Sequence, residues 1–93
     1  MTARKCLQRL PMTRYYFDMR DDEGITIDDE GLELSNLNRV QEEAARSLAD
    51  MARDVVVMSD GKAAHDMAIH VRDDDGPVLQ VRFTFEIDRL RKH

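Results

Sequence analysis

Two stretches of the chain gather side chains that could bind a cation. The sequence reads MRDDEGITI at residues 19–27 and VRDDDGPVLQV at residues 71–81, so an arginine, three acids and a glycine recur in the same order. Clustered carboxylates suit Ca²⁺, and the calcium candidates are Asp21, Asp22, Glu23, Asp28, Asp29 and Glu30. An EF-hand loop, however, needs acids at alternate positions, which contiguous acids do not provide. Acids and a glycine between alternating runs are typical of tight hairpins, so the sequence predicts two turns and no metal site.

Other chemistry finds less support in the residue types and their spacing. A zinc site needs several converging nitrogen or sulfur ligands, and the chain offers Cys6, His65, His70 and His93. If His65 and His70 share a strand, their odd separation places them on opposite faces. No serine stands in a G-x-S-x-G context, and the four glycines are dispersed, so no phosphate-binding loop is indicated. The sequence therefore predicts no catalytic residues, no cofactor and no enzyme.

Alternation of apolar and polar residues predicts four strands. Residues 14–20 and 25–27 alternate on either side of the first acidic turn, and residues 67–72 and 79–87 alternate on either side of the second. The last of these runs is the longest and the most apolar. We therefore expect it to occupy a central position in the sheet.

Between the two strand pairs, the spacing of apolar residues predicts a long helix. The steps of three and four residues place one apolar stripe at Leu37, Val40, Ala44, Leu48, Met51 and Val55. Asn36 is the predicted N-cap, with Ser35 and Asn38 as alternatives. Glu42 and Arg46 stand four residues apart in the order that favours a helical ion pair.

Together these elements predict an α+β fold with the order ββαββ. We expect a four-stranded antiparallel sheet in the order 2-1-4-3, with one long helix on one face. Residues 12–90 would form a single domain, residues 1–11 a disordered N-terminal extension, and residues 91–93 a basic tail.

The sheet face away from the helix is the predicted interaction face. It would carry Arg14, Tyr16, Arg20, His70, Arg72, Gln80 and Arg82. Guanidinium and aromatic groups on a sheet can bind single-stranded nucleic acid, whereas a solvated or dimer-forming face explains the same residues without any ligand. The net charge of −5 opposes unspecific binding to nucleic acid.

Composition also bears on the compartment. The single cysteine allows no internal disulfide, which suits a reducing environment. No apolar run approaches the roughly 20 residues of a membrane helix, and MTARKCLQRL has no continuous apolar core of a secretory signal. The sequence therefore predicts a cytoplasmic protein that does not contact membranes.

Four segments of the chain carry a resemblance to a known family. The segments MTRYYFDMRDDEG, DDEGLELSNL, EEAARSLADMARD and MAIHVRDDDGPVLQVRFTFEIDRL resemble an uncharacterised family of small bacterial proteins, a domain of unknown function common in rhizobia and their relatives. The resemblance covers residues 12–90 and implies a single domain that begins near Met12, but it implies no activity. The aromatic strand, acidic turn and Ala/Glu-rich helix are also similar, at the level of the fold, to HicB-type antitoxins, although their glycine-rich segment before the helix is missing.

The favoured functional hypothesis is a small non-enzymatic protein-interaction or regulatory module that acts as a homo-oligomer or with another small protein. Exposed strand edges or the uncovered sheet face would serve as the contact. The alternatives are single-stranded nucleic-acid binding through the open sheet face and neutralisation of a partner in the manner of an antitoxin.

Overall fold

Five strands and one helix make up the part of the chain described by the computed structural model, residues 12–58 and 64–91. In chain order the elements are β1 (Thr13–Asp21), β2 (Gly24–Thr26), β3 (Leu32–Leu34), α1 (Leu37–Met58), β4 (Ala64–Asp73) and β5 (Gly76–Glu86). The α+β class and the antiparallel sheet are confirmed. The predicted extension at residues 1–11 and the last two residues of the predicted tail lie outside the described residues.

The sheet has the order β2-β1-β4-β5, and β3 also pairs with β1. The predicted four strands in the order 2-1-4-3 are therefore wrong on two counts. The segment Leu32–Leu34 forms an additional strand, too short for its alternation to be recognised in the sequence. In addition β4, not β5, lies next to β1, so the longest and most apolar run stands at the edge of the sheet.

The core lies between α1 and one face of the sheet. Its buried residues are Tyr15, Val40, Ala44, Leu48, Ala52, Met67, Ile69 and Val71. Burial explains the strand order: Met67, Ile69 and Val71 of β4 are at most 1% exposed, whereas the apolar side chains of β5 are only half-buried. Such complete burial requires both the helix above the strand and a neighbouring strand on each side, which only a central position in the sheet provides.

The helix begins at Leu37, directly after the predicted N-cap. The Asn36 side-chain oxygen accepts a hydrogen bond from the Arg39 backbone N–H at 2.9 Å, which confirms Asn36 as the N-cap. The predicted pairing of Glu42 with Arg46 is wrong, because Arg46 pairs with Glu43 one residue closer, at 2.9 Å. Among the described residues, no helix combines the length and the apolarity that crossing a membrane requires.

Both acidic stretches form hairpin turns of the same construction. The carboxylate of Asp21 accepts the N–H of Glu23 at 2.8 Å, and the carboxylate of Asp73 accepts the N–H of Asp75 at 2.8 Å. A glycine with positive φ follows each turn, at 144° and 127°. The hairpin interpretation is thereby confirmed, since each acid at the start of a turn binds the backbone two residues further on. Within residues 12–58 and 64–91, no three acidic, histidine or cysteine side chains are grouped so that they could hold a metal ion.

Candidate functional site

The seven residues of the predicted interaction face lie on the sheet face opposite the core. Tyr16 stands opposite Arg72, and His70 stands opposite Gln80. Arg20 and Arg82 flank Ala68, one from β1 and one from β5. Alternation along each strand therefore placed these side chains correctly, while their role in an interaction stays a prediction.

Each of the four arginines on this face lies beside a carboxylate. Arg14 is 3.2 Å from Glu33 and Arg72 is 2.8 Å from Asp18. The carboxylate of Asp66 lies between the other two, 3.8 Å from Arg20 and 3.6 Å from Arg82. The positive charge that the sequence places on this face is thus largely balanced within the chain, which weakens the attraction of this surface for a phosphate backbone.

The most connected of these groups is a polar brace formed by Tyr16, Asp18, Asp28 and Arg72. Arg72 donates to the Asp18 carboxylate and, at 3.0 Å, to the backbone carbonyl of Asp28, while its guanidinium lies 4.6 Å from the centre of the Tyr16 ring. The Asp18 carboxylate also accepts the Asp28 N–H at 2.9 Å. The polar brace therefore ties β1, β4 and the loop after β2 together, and the distances suggest a structural role.

Asp28 supports the outer edge of β1 in the gap between its pairing with β2 and its pairing with β3. Tyr15 of β1 pairs with Leu32 of β3, and Met19 of β1 pairs with Thr26 of β2. The two β1 residues are four positions apart in the chain, whereas their partners are six positions apart, so two extra residues loop out between β2 and β3. There the Asp28 carboxylate accepts the Phe17 N–H at 3.0 Å. It also accepts the N–H groups of Glu30 and Gly31 at 3.0 and 3.1 Å. One side chain thus replaces the missing strand partner and closes the loop.

Gly31 is required for this loop to lie against β1. Its φ is 74°, and a Cβ at this position would lie 2.9 Å from Cγ of Arg14 and 3.0 Å from the carbonyl oxygen of Tyr15. The Tyr15 oxygen belongs to a paired strand and cannot move freely. The close approach of loop and strand therefore depends on a residue without a side chain.

The electrostatics of the polar brace follow from these contacts. Burial alone would raise the pKa of Asp18, but the hydrogen bonds from the Arg72 side chain and the Asp28 backbone bring this pKa below its usual value of 3.8. Burial would likewise raise the pKa of Asp28, and the backbone N–H groups of Phe17, Gly31 and Glu30 lower it below 3.8. Both carboxyls are thus held in their charged form.

A pH dependence of stability follows from the lowered pKa values. A carboxyl whose pKa is lower in the folded state stabilises the fold fully above its unfolded pKa, here 3.8, and this stabilisation is lost as the pH falls through the folded pKa. We expect the free energy of unfolding, measured with urea, to fall as the pH is lowered from about 5 through 3.8 and below. Asp18→Asn should show a smaller fall, and an unchanged slope in this variant would contradict the assignment.

A second surface, which the sequence did not indicate, lies between α1 and β5. It is an open groove of about 640 Å³ whose walls are almost wholly apolar. Its lining residues are Ala45, Leu48, Ala49, Ala52, Arg53, Val56, Val57, Val81, Arg82, Phe83 and Phe85. Small side chains on the helix leave the half-buried aromatic rings of β5 accessible. We call this surface the α1–β5 groove.

The groove runs beside a long strand edge. β5 pairs with β4 over its whole length, and no strand in the described part of the chain pairs with its other edge. Pro77, which has no N–H, and a β-bulge at Val78 interrupt the start of β5, but residues 79–86 form a regular strand whose outward N–H and C=O groups are a template for another strand. The edge and the α1–β5 groove together form the candidate functional site.

The opposite edge of the sheet is less suitable for strand addition. β2 and β3 have three residues each, and the Asp28 loop interrupts them. A groove of about 490 Å³ also lies there, and its apolar side chains are mixed with acids from the loop and from the helix and with Ser47. Short interrupted strands and charges are common means of preventing edge-to-edge pairing.

His65 is a further residue whose place the sequence only partly predicted. It lies on the core side of β4, 4% exposed, with Nδ1 2.8 Å from the Asp22 carboxylate. His70, in contrast, is exposed on the other face, so the predicted placement of the two rings on opposite faces is confirmed. The arrangement fixes the beginning of β4 against the first hairpin turn.

Comparisons with known proteins give the chain a family. The search of curated proteins and the search of solved structures each found no match. A family model described as a domain of unknown function, DUF6894, matches residues 14–84, from β1 through most of β5. This range contains the polar brace, both hairpin turns and the helix that lines the α1–β5 groove. The chain therefore belongs to the DUF6894 family.

Proposed function

We propose that this protein is a non-enzymatic interaction module that associates with a second copy of itself through the outer edge of β5 and the α1–β5 groove. The observation that carries the proposal is the combination of a long strand whose outer edge is unpaired with an apolar groove at its side, both within the described residues. Strand addition at such an edge supplies backbone hydrogen bonds, and the groove supplies apolar area.

The two features reinforce each other energetically. Backbone hydrogen bonds across a strand edge contribute little net free energy, because water satisfies the same groups in the free protein. Burial of apolar side chains provides the driving force for association, at about 25 cal/mol for each Å² removed from water. An edge strand whose Phe83 and Phe85 rings line the adjacent groove offers both contributions at one place.

A bulky cation in the α1–β5 groove is expected to prevent association. Ala49 is exposed on the groove side of α1, so Ala49→Arg introduces a long charged side chain without disturbing the core. We expect light scattering after gel filtration to give the mass of a dimer for the unchanged protein and that of a monomer for Ala49→Arg at the same concentration.

Ser47→Arg provides the matched control. Ser47 lies two residues earlier in the same helix, but it lines the groove beside β2 and β3. The same added side chain on the other side of α1 should leave the dimer intact. A protein that is monomeric at every concentration, or a dimer lost only in Ser47→Arg, would contradict the proposal.

The other predictions retain less support. Binding of single-stranded nucleic acid through the open sheet face is disfavoured by the carboxylates beside Arg14, Arg20, Arg72 and Arg82. An antitoxin-like role remains an analogy of fold, and a different small protein as partner would use the same edge of β5. The bacterial origin implied by the resemblance and the cytoplasmic location stay predictions.

A further inference from the structure

We infer that two copies pair antiparallel about Thr84 of β5, so that Arg82 of each copy lies opposite Glu86 of the partner subunit. This inference rests on the proposed self-association and specifies its register. It predicts one continuous eight-stranded central sheet, β2-β1-β4-β5 followed by the same strands in reverse, with both helices on one face.

The charges on the polar face of β5 carry the inference. Arg82, Thr84 and Glu86 are exposed on the same face and follow each other at every second position. In an antiparallel pair related by a two-fold axis, the residue on the axis faces its own copy, and residues equally distant on either side face each other. An axis at Thr84 therefore creates two Arg82–Glu86 pairs at once, each between opposite charges.

Other registers lack this complementarity within the strand. An axis at Arg82 places two guanidinium groups opposite each other, which is unfavourable. An axis at Phe83 sets Arg82 opposite Thr84 and leaves both charged residues without a charged partner across the interface. An axis at Phe85 would require Asp88 as the partner of Arg82, and Asp88 lies beyond the end of β5 at Glu86.

The apolar face of β5 supports the same register. Phe83 and Phe85 lie on the core side, with ring centroids 6.3 Å apart and planes at 13°. With the axis at Thr84, Phe83 of one copy faces Phe85 of the other, so four rings form one cross-strand cluster. Ala45 and Ala49 on the groove side of α1 leave space for the second helix to approach these rings.

Disulfide trapping tests the register directly. Cys6, the single native cysteine, is first replaced by serine, and Thr84→Cys is then introduced into the full chain. Directly opposed residues have Cα atoms about 4.5–5.5 Å apart, within the range of a disulfide. We expect a covalent dimer to form with oxidised glutathione, detected by mass spectrometry without reductant.

Gln80→Cys in the same background is the matched control. Gln80 lies on the same face of β5, but in this register its own copy would be about 26 Å away along the strand. It should form little covalent dimer. Equal trapping of both variants would indicate random collision and would overturn the inference.

A charge exchange gives an independent measurement. Arg82→Glu and Glu86→Arg should each weaken the dimer on the order of tenfold, and the double variant should recover most of the affinity. A stable dimer that shows neither trapping at Thr84 nor this recovery would overturn the register and leave the proposed self-association standing. A protein that is monomeric throughout would overturn both.

Discussion

Replacing Asp28 with alanine is expected to lower the free energy of unfolding by about 2–4 kcal/mol. The Asp28 carboxylate accepts three backbone N–H groups, from Phe17, Glu30 and Gly31, at 3.0–3.1 Å. Alanine leaves all three without this acceptor, and the first and last lie in partly buried surroundings. Urea unfolding followed by circular dichroism measures the loss.

The neighbouring acid gives a matched control for this substitution. Asp29 is exposed and adjacent, so Asp29→Ala removes the same charge and should change stability by less than about 0.5 kcal/mol. Asp28→Asn keeps a side-chain oxygen and should fall between the two. Equal losses for Asp28→Ala and Asp29→Ala would show that charge, not the hydrogen bonds that Asp28 accepts from the backbone of β1 and of the loop, accounts for the effect.

Local patterns in the sequence were sufficient for the local structure. The N-cap at Asn36, the turns at residues 21–24 and 73–76 and the alternation along β1 each depend on residues close together in the chain. Their physical causes are a capping oxygen, an acid that binds the backbone two residues on, and glycines with positive φ. None of these requires knowledge of the rest of the fold.

Long-range features were not predictable in the same way. Alternation shows which face of a strand is apolar, but it does not show which strand of the second hairpin lies beside β1. One residue does carry that information: Ala68, on the polar face of β4, is fully buried between Arg20 and Arg82. A small residue on an otherwise polar face is favoured where neighbours close over it from both sides, which happens only in a central strand.

Exposed strand edges were among the predicted contacts, but the groove and the edge position of β5 were missed for a related reason. The α1–β5 groove exists because α1 leaves part of β5 uncovered, and the placement of the helix depends on the packing of its whole buried face. The sequence pattern of β5 predicted burial, but within the described residues its apolar side chains, including the aromatic rings, are only half-buried. In the same way, the acid that braces the edge of β1 is one of six clustered acids, and nothing in the sequence distinguishes Asp28 from Asp29.

The strand order leads to the second large effect, at Ile69. This side chain is fully buried at the centre of β4, opposite Met19 of β1 and Val81 of β5. Ile69→Ala should lower the free energy of unfolding by about 2–5 kcal/mol, because it loses buried apolar area and leaves a cavity that the two flanking strands cannot fill. For a domain of this size, whose total stability is about 5–15 kcal/mol, that is a large fraction.

Ile25→Ala makes the same chemical change at an exposed site and should cost less than about 1 kcal/mol, since Ile25 of β2 is 60% exposed. The contrast between the two variants tests the position of β4 in the sheet. In the order predicted from the sequence, the strand that corresponds to β4 was the third of four and lay at the edge of the sheet. Ile69 would then lack a neighbour on one side, and the difference between the two losses would be small. A difference of about 2 kcal/mol or more, measured by urea unfolding, is expected only if β1 and β5 enclose Ile69 from both sides.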